Sequence, residues 1–295
     1  MIRASIDIGT NSVLLLVIED RGGEIFPVRQ EIREPRLGRG LWESGRISAD
    51  SITSTKKALR ELAVVARDCA AERIIAFGTE VFRGSNNGVD VARELGENCG
   101  LDIRILTAEE EARFAFKGAV SGLDIRGSKA VVDVGGGSAE IAIGDSEPKS
   151  WRSLQIGAVV LTDRLAITTP FNRETATALF SAIAAEIGFL DITSEARIIG
   201  VGGTITTLAA IKLGLTRYDP DLVHGTEISL QWLETIFEEF QQSTLDEIAQ
   251  RVLFSPARVD ILTAGTAVFI QVLRHANLYT ITISDRGAHW GIMLS

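Results

Sequence analysis

The chain has 295 residues, 45% of them apolar, and a formal net charge of −9. That length exceeds an ordinary single domain and suits two, and the frequent, dispersed charge excludes wholesale disorder. The acid excess excludes nucleic-acid binding by bulk charge, and any polyanionic ligand must be held locally by arginines and backbone amides.

The first element is a strand from Ala4 to Asp7 that ends in an acid. A Gly9-Thr10-Asn11-Ser12 turn leads to a continuous apolar run, Val13 to Ile18, which reads as a buried strand, and Ile25 to Arg33 is a third strand after Gly22-Gly23. Ser48 to Ala70 has helical spacing, with Ser48 or Asp50 as cap and Ile52, Leu59, Leu62 and Ala66 toward one face. Strands follow at Arg73 to Phe77 and Ile103 to Leu106. Thr107 and Glu110 then form a capping box for a helix to about Val120.

After Gly122 the plan restarts. Lys129 to Asp133 is a strand ending in Asp, Gly135-Gly136-Gly137-Ser138 is the turn, and Glu140 to Ile143 and Lys149 to Leu154 are strands. Next come a helix from Arg173 to Phe189 and a strand from Arg197 to Val201. The turn Gly202-Gly203-Thr204 opens a helix to Lys212. Helices at Leu230 to Gln242 and Val259 to Asn277, a strand at Thr280 to Ser284 and a helix from Gly287 complete the reading.

Asp7-Ile8-Gly9-Thr10-Asn11-Ser12 and Asp133-Val134-Gly135-Gly136-Gly137-Ser138 share the pattern D-[IV]-G-x-x-S, each between two strands. With the same strand meander around both, this predicts a duplicated domain. The expected division is 1–122 and 123–295, where Gly122, Asp124 and Gly127 break the preceding helix.

Glycine lets backbone N–H groups approach an anion, so two such hairpins can cradle phosphate. Asp7 and Asp133 cannot, but hard cations take carboxylate oxygens. A single hairpin of this kind could be an ordinary tight turn; the pair argues for function. Gly203 and Thr204 aim helix N-terminal amides at a possible anion, or simply join strand to helix. Glu109 and Glu110 suit the helix dipole. Glu111 lies beside the apolar seam of Ala112, Ala115 and Phe116, where a carboxylate could act as a base. Glu140 is either an exposed strand residue or a metal or water ligand. Arg36, Arg39, Arg83, Arg258 and Arg286 are each solvated arginines or phosphate ligands. Cys69, Cys99, His224, His275 and His289 show no metal spacing, and the N-terminus lacks the apolar core of a signal peptide. No run approaches the ~20 apolar residues of a membrane span. A reduced, cytoplasmic protein that binds neither membrane nor nucleic acid is expected.

These motifs, in this order, resemble the exopolyphosphatase / guanosine pentaphosphate phosphohydrolase (Ppx/GppA) family of the actin-like ATPase superfamily. Asp7 to Ser12 and DVGGGSAE at Asp133 to Glu140 look like its two phosphate loops. RLGRGL at Arg36 to Leu41, Thr79 to Arg83, EEAR at Glu110 to Arg113, and GGTITTLAA from Gly202, with YDP and VHG after it, match further segments. The resemblance covers nearly the whole chain. It implies an α/β fold of two ribonuclease-H-like domains around a cleft.

It also implies roles. Glu111 is the general base, with Glu140 placing metal or water. Asp7, Asp133 and Glu140 hold Mg²⁺ or Mn²⁺. Gly9, Asn11, Ser12, Arg83, Gly136, Gly137, Ser138, Gly203 and Thr204 bind phosphate. The substrate is inorganic polyphosphate, or else guanosine pentaphosphate, and a homodimer is conceivable. A non-catalytic nucleotide or alarmone sensor on the same fold is the rival of another class. One departure is SDRGAHWG at Ser284 to Gly291, where His289 and Trp290 replace the family's Arg-Glu.

Overall fold

The computed structural model describes residues 1–295. The first half runs β1 (Ile2–Ile8), β2 (Val13–Arg21), β3 (Glu24–Arg33), α1 (Leu41–Ser44), α2 (Ala49–Asp68), β4 (Arg73–Gly78), α3 (Glu80–Arg83), α4 (Gly88–Cys99), β5 (Ile103–Ile105) and α5 (Ala108–Val120). The second opens with β6 (Lys129–Val134), β7 (Ala139–Gly144), β8 (Pro148–Leu154), α6 (Ala158–Arg164), α7 (Arg173–Ile187), β9 (Arg197–Val201) and α8 (Gly203–Lys212). It continues with α9 (Pro220–Val223), β10 (Glu227–Ser229), α10 (Leu230–Gln242), α11 (Leu245–Arg251), α12 (Leu262–Ala276), β11 (Thr280–Ile283) and α13 (Ala288–Gly291).

The sheets have the orders β3-β2-β1-β4-β5 and β10-β11-β9-β6-β7-β8. In each, an antiparallel meander is followed by a strand parallel to the meander's first member: β4 beside β1, and β9 beside β6. The duplication read from two hexapeptides is therefore a duplication of topology, with β10 an addition at one edge.

Local chemistry explains the elements that matter most for the site. Ile6, Ile8, Leu15 and Val17 put their side chains into the first core, while Ser5 on the opposite face of β1 is buried against the chain's last turn. Ser48 caps α2 by accepting from the Ser51 amide, and Thr107 and Glu110 close the expected capping box on α5.

The long helix expected from Val259 instead begins at Leu262, after a 3₁₀ turn at Pro256–Arg258 that proline, lacking an N–H, is suited to open. Helix α4 was not expected; a Cβ at residue 96 would lie 2.7 Å from the Leu101 carbonyl, so glycine is what permits the packing at its end.

Each sheet is covered partly by a helix from the other half. Ala112, Phe116 and Ala119 of α5 pack on Val131, Ala142, Ile199 and Val201 of the second sheet. Conversely, Ala288, Trp290, Ile292 and Met293 pack on Leu16, Ile18 and Phe77 of the first. The helices that cross over also clamp each other: a Cβ at Gly118 would meet the Gly287 carbonyl at 2.1 Å, and one at Gly291 the Phe114 carbonyl at 1.9 Å. This crossing places the first turn of α5, with Glu111, between the two sheets. No helix is long and apolar enough to cross a membrane.

Candidate active site

A cavity of about 1090 Å³ opens between the halves. The two glycine hairpins form part of its wall. Each is closed by the same bond, Gly9 N–H to Ser12 C=O at 2.9 Å and Gly135 N–H to Ser138 C=O at 3.0 Å. They face each other closely: a Cβ on Gly136 would lie 2.9 Å from the Thr10 Cβ, and one on Gly137 2.8 Å from Thr10 Oγ1. Only glycine leaves room there for backbone amides and a ligand together.

Of the sequence-selected residues, Asp7, Gly9, Asn11, Ser12, Glu111, Asp133, Gly136, Gly137, Ser138, Gly203 and Thr204 all line the cavity. Asn11 is 6% exposed, and neither atom of its side-chain amide has a partner in the protein. Burying both without a hydrogen bond is costly, which fits a group kept for a ligand. Ser12 Oγ accepts from Arg258 at 2.8 Å, and Arg258 also donates to Glu34 at 2.7 Å, joining the halves at the cavity wall.

Two chosen residues stand one layer back. Arg83 donates to Glu111 at 2.6 Å, to Glu80 at 3.1 Å and to the Leu106 carbonyl at 2.7 Å, so its guanidinium is committed to holding carboxylates. Glu140, 2% exposed, pairs across the ladder with Asp133 and accepts from Ser153 Oγ at 2.7 Å.

Sequence reasoning did not find Thr10 as the contact between the loops, nor Gly157. A Cβ at residue 157 would lie 2.4 Å from the Gly136 carbonyl. Gly38 packs on Thr10 in the equivalent place of the first half, so the RLGRGL segment matters here for its glycine; Arg36 pairs with Asp260, and neither Arg36 nor Arg39 lines the cavity. Glu80 was also missed. It takes a hydrogen bond from Gln155 of the other half at 3.0 Å and lies over Gly137.

The floor is crowded with carboxylates. Burial pushes Asp7 well above the usual carboxylate range, and the charges of Glu111 and Asp133 add to this. Asp133 is pushed from 3.8 up to about 7, by burial and then by Glu111. Glu140 rises for the same reasons. Glu111 rises by burial, partly countered by Arg83. Seven acidic side chains border the cavity against four arginines, so any anion entering it meets an excess of negative charge.

Asp7 and Asp133 have no cation partner among the ion pairs, and their hard oxygens fit Mg²⁺ or Mn²⁺. No three His, Cys, Asp or Glu side chains converge as a complete ligand shell.

One consequence is measurable. A buried acid whose folded value is raised stabilises the fold while protonated, and that contribution is lost as pH rises from its unfolded value toward its folded one. For Asp133 the window runs from 3.8 to about 7. The metal-free protein is therefore expected to lose several degrees of thermal midpoint between pH 5 and pH 7.5. Mg²⁺ should raise the midpoint more at pH 7.5 than at pH 5, since binding requires the ionised carboxylate. Asp133→Asn should flatten both trends. Scanning calorimetry with and without Mg²⁺ checks this.

The chain matches the model of the Ppx/GppA phosphatase family over residues 16–295. It is 31% identical to exopolyphosphatase 2 of Mycobacterium tuberculosis, covering 99% of this chain and 97% of that protein. It is 29% identical to the guanosine-5'-triphosphate,3'-diphosphate pyrophosphatase of Vibrio atlanticus, covering 88% of this chain and 54% of that protein. Among solved structures, the Aquifex aeolicus member of the Ppx/GppA family superposes with a TM-score of 0.84 at 30% identity, covering 100% of this chain and 96% of that one.

Proposed function

Because the chain belongs to the Ppx/GppA phosphatase family, we propose that it releases terminal orthophosphate from inorganic polyphosphate by attack of water. The observation that carries this is the buried Glu111 carboxylate, held by Arg83 at 2.6 Å on the same cavity as two opposed glycine hairpins.

The terminal phosphate enters between the hairpins. Its oxygens accept from the amides of Gly136 and Gly137, from the Asn11 side chain and from the Ser12 and Ser138 hydroxyls, while the Gly9 amide, committed to the Ser12 carbonyl, shapes the first hairpin around it. Gly203 and Thr204 offer further amides at the start of α8. Glu111 accepts one proton from water as its oxygen attacks phosphorus. The bridging P–O bond breaks, and the shortened chain leaves with the electron pair. Arg83 fixes the position of the Glu111 carboxylate and limits its rise in pKa, which keeps it available as a base. When bound at Asp7 and Asp133, Mg²⁺ or Mn²⁺ supplies neutralisation of phosphate charge. Glu140, opposite Asp133 in the ladder and held by Ser153, stands one layer behind.

One feature favours guanosine pentaphosphate as a second reading. Tyr218 and Phe254, with ring centroids 6.2 Å apart, border the cavity beside Leu253, which is 69% exposed. An inorganic chain gains nothing from such a surface, whereas a base could stack on it.

Phosphate release measured in parallel from long-chain polyphosphate, guanosine pentaphosphate and ATP tests the reading. Polyphosphate is expected to be the best substrate, and Tyr218→Ala should leave its KM within about twofold. If the pentaphosphate is used instead, Tyr218→Ala should raise its KM about tenfold. Release from none of the three, with tight nucleotide binding, would leave a sensor.

A further inference from the structure

Of the four arginines that border the cavity, Arg29 pairs with Glu31, Arg258 pairs with Glu34, and Arg217 is exposed. Arg286 differs. It is half-buried, yet no carboxylate lies within ion-pair distance of it. Asp285, its neighbour in the chain, accepts instead from the Tyr218 hydroxyl. Asp285 and Asp221 act on the guanidinium only at longer range. One nitrogen, Nη1, donates to the Ser121 carbonyl at 3.2 Å and to Ser121 Oγ at 3.3 Å. The other two, Nε and Nη2, have no partner in the protein, and neither is sealed from solvent. An unpaired cation held partly out of water, on a cavity with seven acids, fits a group kept for an anion.

The guanidinium is also held in place. Its Cζ lies 4.3 Å from the centroid of the Trp290 ring, a cation–π stack. Trp290 is 3% exposed and packed with Leu16, Ile18 and Phe77, so the platform is fixed. Gly122, at φ +78°, leaves the room: a Cβ there would lie 2.6 Å from Nη1. Arg286 follows the end of β11, which runs parallel to β9, which runs parallel to β6. The C-terminal ends of these three neighbouring strands therefore present Arg286, Gly203 and Asp133 in order along one edge of the sheet. Two strand spacings put the backbone of Arg286 about 10 Å from that of Asp133.

We propose that Arg286 is the subsite for a non-terminal phosphate of the polyphosphate chain, its Nε and Nη2 donating as a fork to two oxygens of one phosphate. The inference takes its ligand from the hydrolase reading but does not depend on turnover. With the terminal phosphate between the hairpins, the rest of the chain runs along the cavity wall past the start of α8 toward Arg286. A planar guanidinium, stacked and tied at Nη1, loses little freedom when it binds, and lysine offers no such fork. The contact is remote from the breaking bond and is made equally in the ground and transition states. It therefore acts on KM and leaves kcat alone. It also reads length, because pyrophosphate ends before reaching it.

The test compares Arg286→Gln and Arg286→Lys in the full chain with Mg²⁺. Arg286→Gln is expected to raise KM for long-chain polyphosphate about tenfold with kcat within about twofold. Arg286→Lys keeps the charge without the fork and should fall between the two. Calorimetry in the Glu111→Gln background, where the chain is not consumed, should show the same tenfold loss of affinity for long-chain polyphosphate and a Kd for pyrophosphate within about twofold of the parent. A role limited to holding Ser121 would weaken both ligands alike and lower the thermal midpoint. If Arg286→Gln folds poorly, the chain-length contrast in Arg286→Lys decides. Unchanged affinity for polyphosphate, an equal loss for pyrophosphate, or an effect on guanosine pentaphosphate alone would each overturn the proposal. Polyphosphate binding that weakens in Arg286→Gln, by a protein whose wild type releases no phosphate, would overturn the hydrolase reading and leave the subsite standing.

Discussion

Glu111→Gln is expected to lower kcat for phosphate release by roughly 10²–10⁴-fold, the span that a positioned general base contributes. The substitution keeps shape and volume, and its amide oxygen can still accept from Arg83. What it removes is the ability to take a proton. KM should change little, because the hairpins and Asn11 hold the phosphate without Glu111. Stability should move the other way. The Glu111 charge raises the pKa of Asp7, Asp133 and Glu140, so a neutral side chain relieves repulsion in the floor. A thermal midpoint at or above wild type, together with collapsed kcat, separates loss of chemistry from loss of fold. Activity within tenfold of wild type would remove Glu111 from its assigned role.

The second large effect is expected at a residue with no chemistry of its own. Gly157 caps α6, and the α6 amides of Val159 and Val160 donate to the Gly136 carbonyl at 3.0 and 3.2 Å. In Gly157→Ala the new methyl would sit 2.4 Å from both the Gly136 carbonyl oxygen and the Gly137 carbonyl carbon. Those are backbone atoms of the second hairpin and cannot rotate aside. Either α6 or the hairpin must shift, at about 1–3 kcal/mol of stability, the usual cost of overpacking. The hairpin cannot yield far, because Thr10 of the first hairpin packs against its other side. Activity should therefore fall more than stability suggests, about 100-fold, since displacement by an ångström or so spoils a reactive geometry. Gly188→Ala is a suitable control: it ends α7, and its added Cβ would meet an atom no closer than 3.5 Å. Equal activity in the two variants would show that the contact between α6 and the hairpin does not govern the site.

What the sequence made legible was local. The D-[IV]-G-x-x-S repeat, the Thr107–Glu110 capping box and the apolar run of β2 each depend on neighbours a few residues away, and each appears where the spacing placed it. The exchange of α5 and α13 between sheets could not be read this way. It is settled by complementary glycines, Gly118 and Gly291, far apart in the chain. The same holds within the site. The hairpins and Glu111 were selected from short motifs and meet on one cavity. Arg83 was selected for the right chemistry, yet its nearest anions are Glu80 and Glu111. Gly38 and Gly157 reveal their purpose only when the surfaces they face are known. His289 drew attention only as a departure from a motif; its burial and its unpartnered Nδ1 are properties of the fold.

The most direct test of the account is to run polyphosphate hydrolysis in H₂¹⁸O with Mg²⁺ and follow the label by ³¹P NMR or mass spectrometry. Attack of water on the terminal phosphorus puts one ¹⁸O into each released orthophosphate and none into the new chain end, and Glu111→Gln should reduce the rate without moving the label. Label in the new chain end, or orthophosphate released without label, would contradict terminal water attack in this cleft.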